Sequence, residues 1–215
     1  MDKKTQDILT PIQIKVLDRL FSDPLFGGNF YLTGGTVLSA FYLHHRYSDD
    51  LDFFTHAQSM EFLWPLVQRQ FEGMEFQPER RSPDFLRISV EGLQVDFVRD
   101  VPHRIGTPRP VGKWLVDNLE NITVNKVTTI LNRSDPKDYV DLYFLLRGDP
   151  GRIMALLKEA SGKDASAEPF LWSRLIGDVA AIRVLPRMII PLKIEDLKKF
   201  YEGLQELILE KMRPA

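Results

Sequence analysis

The sequence predicts an α/β (α+β) protein, with short strands among helices in its first half and helices alone in its second. Three observations predict it. The stretches "NFYLTGG" and "DDLDFFT" have the apolar alternation and the turn-forming ends of strands. "FLRISVEGLQVDFVRD" carries two alternating apolar runs around Glu91 and Gly92, the pattern of a hairpin with a two-residue turn. Beyond "VPHRIGTPRPVG", rich in proline and glycine, the apolar patterns keep helical spacing. That stretch separates a core over residues 1–110 from a helical region over residues 111–215.

Taken in order, "TPIQIKVLDRLF" opens with Thr10 as N-cap, Pro11 at the first helical position and Gln13 completing a capping box, with Ile12, Val16 and Leu20 four apart. Asp23, Pro24, Gly27 and Gly28 break this helix before the strand "NFYLTGG". Val37, Leu38, Phe41 and Tyr42 predict a helix from Thr36 to about Arg46, and "DDLDFFT" follows as a strand. Residues 60–72 predict a helix in which Pro65 marks a kink or a late start. Past the boundary, helices are predicted at about 114–133, 136–147, 151–161, 168–183 and 194–212, the last with Leu197, Phe200, Leu204 and Ile208 on one face.

Composition narrows the function. The 28 basic and 30 acidic residues give a formal charge of -2, so there is no overall signature of polyanion binding. A nucleic acid would be met by local patches such as Arg80, Arg81 and Arg87, or His103, Arg104 and Arg109. Without cysteine there is no disulfide, no thiolate zinc site and no thiol nucleophile. No leader pattern opens the sequence and no apolar run is long enough for a bilayer, which predicts a soluble, cytoplasmic protein with no membrane partner.

The chemistry concentrates in "TGGTVLSAFYLHHRYSDDLDFF". Side chains two apart on a strand share a face, so Asp50 and Asp52 converge while Leu51 and Phe53 turn to the core. Two close carboxylates raise each other's proton affinity unless a cation neutralises them, and a hard divalent ion such as magnesium takes such oxygens together with substrate phosphates. Gly34 and Gly35, between a strand and a helix, let backbone amides approach a phosphate. Asp96 in "LQVDFV" alternates with Val95 and Phe97. If its strand neighbours the D-L-D strand, three aspartates cluster on one sheet face, the outline of a two-metal site.

These residues resemble the signature of the DNA polymerase beta-like nucleotidyltransferase superfamily, and most of all its AbiEii/AbiGii toxin branch. The branch shows a GGT, a helix, an H-R-x-S-x-D-L-D-F-F run, a later strand with a central aspartate, a lysine-bearing helix and an R-x(4)-D-x-x-D-L element. His45, Arg46, Ser48, Asp50, Asp52, Asp96, Lys126, Arg133, Asp138 and Asp141 match it here, over roughly residues 31–146. The resemblance implies a small mixed or antiparallel sheet flanked by helices, followed by an all-helical part that contributes to the site. It implies transfer of a nucleoside monophosphate from a nucleoside triphosphate to a hydroxyl, with pyrophosphate leaving. Asp50, Asp52 and Asp96 would hold magnesium, or manganese in its place, with Asp96 helping to deprotonate the acceptor. Gly34, Gly35, Thr36, Arg46, Ser48 and Lys126 would bind the nucleotide, with Lys126 offsetting triphosphate charge. Asp138 or Asp141 would be a further acid of the site. A tRNA or protein acceptor and a cognate antitoxin are the partners that it implies.

Each reading has a plainer rival. Asp135, Pro136 and Asp138 fit an N-cap, N1 and N3 pattern, so Asp138 can serve its helix alone. His44 and His45 are adjacent and do not converge on one metal. A glycosyltransferase also uses D-x-D, but on a larger chain with a doubly wound sheet before the motif. A catalytically silent nucleotide-binding regulator on the same fold is the main alternative, and an interaction module built on the C-terminal helices is another.

Overall fold

The structure, a computed structural model, describes residues 3–57 and 59–213. The chain divides into two units. One comprises Met1–His44, Ser48–Pro102 and Gly106–Asn118, and the other His45–Tyr47, His103–Ile105 and Leu119–Ala215.

The first unit begins with α1 (Lys3–Ile8) and α2 (Pro11–Phe21). The capping box of α2 is complete: Thr10 Oγ1 accepts the Gln13 amide at 3.3 Å, and Gln13 Oε1 accepts the Thr10 amide at 2.8 Å. Val16, Leu17, Leu20 and Phe21 are buried. Next comes α3 (Pro24–Asn29), where the Asp23 carboxylate accepts the first free amides, and then β1 (Phe30–Thr33). The following helix departs from the sequence reading. It starts at the glycines as α4 (Gly34–Val37), widens into a π-helical stretch over Leu38–Leu43, and ends with His44 in the left-handed region at φ 51°. The His44 amide donates to the Ser39 carbonyl five residues back, and this wider winding halts the helix before Arg46.

After β2 (Leu51–Thr55), α5 (Leu63–Gln70) has Pro65 in its first turn, the late start that the sequence allows. The remaining strands are β3 (Phe76–Ser82), β4 (Phe85–Val90), β5 (Leu93–Arg99), β6 (Arg109–Val111) and β7 (Trp114–Val116). Among the described residues, seven strands form one sheet in the order β3-β4-β5-β2-β1-β7-β6. It is mixed, with β2 antiparallel to β1 but parallel to β5, and β1 parallel to β7. The β4–β5 hairpin turns on Glu91 (φ 48°) and Gly92 (φ 80°), two successive left-handed residues that match strand twist.

Residues 114–116 are a strand rather than the start of a helix. Trp114 and Val116 are buried while Leu115 is not, and Val116 lies beside Leu32 of β1. Three alternating residues are too few for their period to be told from that of a helix.

Alternation gives the sheet two chemically different faces. Phe53 and Phe97 are register neighbours with rings stacked 5.4 Å apart, and Phe26 meets Phe30, Phe53 and Phe97 on the same dry side. The next row along these strands belongs to the other face and reads Thr33, Asp52, Asp96, Arg87, Arg80 from β1 to β3.

In the second unit the helices are α6 (Leu119–Asn132), α7 (Pro136–Leu146), α8 (Ile153–Ser161), α9 (Pro169–Leu175) and α10 (Ile194–Lys211). The helix predicted over 168–183 is α9 followed by 3₁₀ turns over Ile176–Ala181. Leu197, Tyr201, Leu204 and Ile208 are the buried face of α10, with Phe200 half-buried beside them. Two polar atoms tie this core: Trp172 Nε1 donates to the Val127 carbonyl at 2.9 Å, and the Tyr201 hydroxyl to the Tyr139 carbonyl at 2.8 Å.

The capping box gives a direct test. Thr10→Ala should lower stability by about 1 kcal/mol, read by urea unfolding, and Thr10→Ser should restore most of it.

Candidate functional site

In the sheet unit the site residues are positioned by a strand, a glycine turn and a hairpin. Gly34 has φ 74°, and a Cβ built on it would strike the Asp52 carboxylate, standing 3.0 Å from Cγ and 3.1 Å from Cβ besides colliding with Oδ2. Glycine therefore satisfies two demands there, a left-handed backbone and the close passage of the chain over Asp52. Thr33 stands at the N-cap but makes no capping bond; its hydroxyl donates to Asp117 Oδ2 at 2.7 Å. The Thr36 hydroxyl donates to the Asp50 carbonyl, which ties the first helical turn to the chain entering β2. Asp50 lies one residue before that strand and Asp52 lies inside it, half-buried. The Ser48 carbonyl accepts Gln13 Nε2 at 2.9 Å.

Asp96 faces the same side, next to Asp52 in the parallel register of β2 and β5. Its carboxylate is 9% exposed and is spanned by Arg87, Nε to Oδ1 and Nη2 to Oδ2, each at 2.7 Å. Among the described residues, no group of three or more His, Asp or Glu side chains is arranged to hold a metal ion. Asp50 and Asp52, two apart in sequence, carry hard oxygen donors of the kind that a divalent ion takes together with phosphate oxygens.

The helical unit holds a second set. Asp141 is fully buried and accepts Arg46 Nε at 2.6 Å and Arg46 Nη2 at 2.8 Å, with Lys126 Nζ at 2.6 Å and His45 Nε2 at 2.8 Å. Asp138, also buried, accepts Lys126 Nζ at 2.7 Å and Arg133 Nε at 2.7 Å. Asp135 is the N-cap of α7, taking the Lys137 amide, so the Asp138 side chain is not spent on its own helix. Burial alone would raise the Asp141 pKa, but the charges of Lys126 and Arg46 outweigh it and hold the carboxyl far below the usual range. For Asp138 the same contest against burial is won by Lys126 and Arg133, and its pKa is also lowered. Burial would depress Lys126, but Asp141 and Asp138 raise it. For His45 burial wins over the attraction of Asp141, and the imidazole is held neutral. To reach a phosphate, Lys126 would have to leave two carboxylates.

Two polar residues escaped the sequence reading. The sequence suggests a surface patch for Arg87, yet counting outward from the Glu91–Gly92 turn, Val90 to Leu93 and so on, places Arg87 opposite Asp96. The signal was present. Asp117 is wholly buried, accepting Thr33 at Oδ2 and the Asn118 amide at Oδ1, and no motif marks it.

The ionic set in the helical unit predicts an acid profile. A depressed folded pKa means that the unfolded chain binds the proton first, so stability is present above the unfolded value and lost as pH falls below it. For His45 that loss starts below 6.5, and for Asp138 and Asp141 below 3.8. Urea unfolding followed against pH should show both windows, and His45→Gln should lack the upper one. Asp141→Asn, which leaves Arg46 and Lys126 without their shared anion, should cost about 3–5 kcal/mol. Gly34→Ala should lose at least about 1 kcal/mol through its backbone conformation.

Known proteins resemble this chain in part and in whole. Residues 15–81 match the family model described as Nucleotidyl transferase AbiEii toxin, Type IV TA system. An uncharacterised protein of Aquifex aeolicus is 31% identical over 123 residues, which cover 55% of this chain and 58% of that protein, little more than half of the relative's length. Among solved structures, JHP933 from Helicobacter pylori is 18% identical with a TM-score of 0.56, covering 99% of this chain and 94% of its own. MenT4, a nucleotidyltransferase toxin from Mycobacterium tuberculosis, is 17% identical with a TM-score of 0.51, covering 95% and 83%. The fold is thus nucleotidyltransferase-like, and the AbiEii resemblance is borne out over residues 15–81, the segment that holds the glycine pair and the D-L-D strand.

Proposed function

We propose that this protein is a metal-dependent nucleotidyltransferase that moves a nucleoside monophosphate from a nucleoside triphosphate to a hydroxyl acceptor, releasing pyrophosphate. The observation that carries the proposal is Gly34, held at positive φ against the Asp52 carboxylate within the segment that matches the AbiEii model. That packing puts the start of a helical stretch, which has no side-chain cap, next to the Asp52 carboxylate. An anion and its counter-cation can then be held side by side.

Asp50 and Asp52 would hold magnesium, or manganese, with the triphosphate oxygens; the ion would neutralise charge on the phosphates and favour the oxyanion form of the attacking hydroxyl. Backbone amides at Gly34 and Gly35 orient the phosphates, and the Thr36 bond to the Asp50 carbonyl keeps the first carboxylate in place. Asp96, next to Asp52 in the row, would share the ion on the acceptor side and take the proton from the acceptor hydroxyl. Arg46, Lys126, Asp138 and Asp141 act on this reading through the ionic set that they share, which fixes α6 and α7. The acceptor is a tRNA or a protein, the setting is a cytoplasmic toxin-antitoxin pair, and a cognate antitoxin is the partner. No helix among the described residues is long and apolar enough to cross a membrane.

One observation favours the second reading, a silent nucleotide-binding regulator: the third carboxylate is spanned by an arginine. A labelling experiment separates the two. The protein is incubated with each alpha-labelled nucleoside triphosphate, magnesium, and bacterial RNA or protein, and label transfer and pyrophosphate are followed. Native protein should transfer label, and Asp52→Asn should lower the rate at least about a hundredfold while retaining the fold. Equal transfer by the variant would remove Asp52 from the site. Metal-dependent nucleotide binding without transfer would select the silent regulator.

A further inference from the structure

The Asp96–Arg87 pair asks why the third carboxylate, which the proposed reaction needs open to a metal and a proton, is already occupied. Neighbouring strands stand about 4.8 Å apart, so Asp52 and Asp96, directly opposite in register, are like charges on one row. Like charges so placed repel, and what offsets that repulsion is a nearby positive charge. Arg87 supplies it from the far side of Asp96, with one nitrogen on each carboxylate oxygen at 2.7 Å. The pairing is built into the hairpin, because the two-residue turn at Glu91–Gly92 fixes the register that sets Arg87 opposite Asp96.

The pair is unequal in its exposure. The Asp96 side chain is 9% exposed and that of Arg87 is 36%, so the acid is sheltered while the guanidinium reaches solvent. Arg87 also has a second contact that does not depend on Asp96: its guanidinium lies 5.6 Å from the Phe85 ring centre, which Arg80 approaches as well, at 5.4 Å. Arg80, opposite Arg87 on β3, adds like charge that weakens the hold on Arg87 once Asp96 is taken.

We propose that Arg87 is a resting counter-ion for Asp96 that a divalent cation must displace or crowd, so that Arg87 sets the metal concentration at which this face of the sheet fills. The inference rests on the metal-dependent reading of the site and concerns its regulation. With Arg87 in place the Asp52–Asp96 row is already partly neutralised, and a metal gains less by binding there. Without Arg87 the same two carboxylates attract it more strongly.

The test reads metal binding alone, by electron paramagnetic resonance of free manganese titrated against the full chain without nucleotide. Arg87→Met should bind manganese about tenfold more tightly than the native protein, the effect of removing one nearby positive charge. Arg87→Lys, which keeps the charge without the two-pronged contact, should fall between them, and it carries the test if Arg87→Met does not fold. Asp96→Asn combined with Arg87→Met should abolish the gain. Unchanged or weaker binding in Arg87→Met or Arg87→Lys would overturn the proposal and leave Arg87 as a strand-pairing residue. Tighter binding without nucleotide transfer would uphold it while removing the proposed reaction, and transfer with unchanged binding would do the reverse. No manganese binding by native protein or variants would overturn this proposal alone, because the proposed reaction holds its ion together with triphosphate oxygens.

Discussion

Taking a carboxylate fully out of water costs several kcal/mol unless cations and donors replace the water that it loses. Asp141 meets that constraint with Arg46, Lys126 and His45 together, and most of the polar architecture of the helical unit follows from it. Lys126 sits on α6 and is shared with Asp138, so two residues one turn apart on α7 are tied to one ammonium. His45 and Arg46 are held by the same anion, which accounts for three residues, His45–Tyr47, grouping with helices far along the chain. The Ile189 amide bonded to the His45 carbonyl at 2.9 Å and the Tyr47 amide bonded to the Arg187 carbonyl at 2.8 Å complete that attachment. Burial keeps His45 neutral, which spares the cluster a further positive charge.

On the sheet the balance is struck differently. Asp52 is half-buried and Asp96 buried, and one half-exposed arginine on the neighbouring strand attends the second of them. A network in which each ion has several fixed partners resists change, whereas a single pair at a surface row can exchange one partner for another. The two acidic groups thus sort by how they are neutralised. That division separates scaffold from chemistry more clearly than residue type does.

Much of this was legible because the signals were local. The α2 capping box, the Glu91–Gly92 turn and the D-L-D alternation each depend on residues within a few positions of one another. The facing of Asp96 followed from alternation, but its position beside Asp52 needed the parallel pairing of β2 with β5, which no local pattern encodes. β3 is not legible in the sequence because "FQPERRS" has no apolar alternation and carries charge on both faces. The π-helical winding after Gly34 and the burial of Asp117 arise from tertiary fit. Helical spacing in "TVLSAFYL" says nothing of the wider turn. Asp138 illustrates a correct local pattern with an incomplete meaning: the capping geometry is real, but Asp135 supplies it.

The sheet's margins have a consequence for behaviour at high concentration. An edge strand offers a row of unsatisfied amides and carbonyls to any other strand that arrives, and long flat edges invite stacking into aggregates. Here the two outermost strands are β3 and β6. The first carries Pro78, a register shift between Pro78 and Arg80, and the run Glu79, Arg80, Arg81; the second is three residues long with Pro110 at its centre. Proline withholds a donor, the shift bends the ladder, and charge repels a second copy aligned alongside. The residues that hid β3 from a reading of the sequence are thus the ones that stop the sheet from growing beyond its own chain.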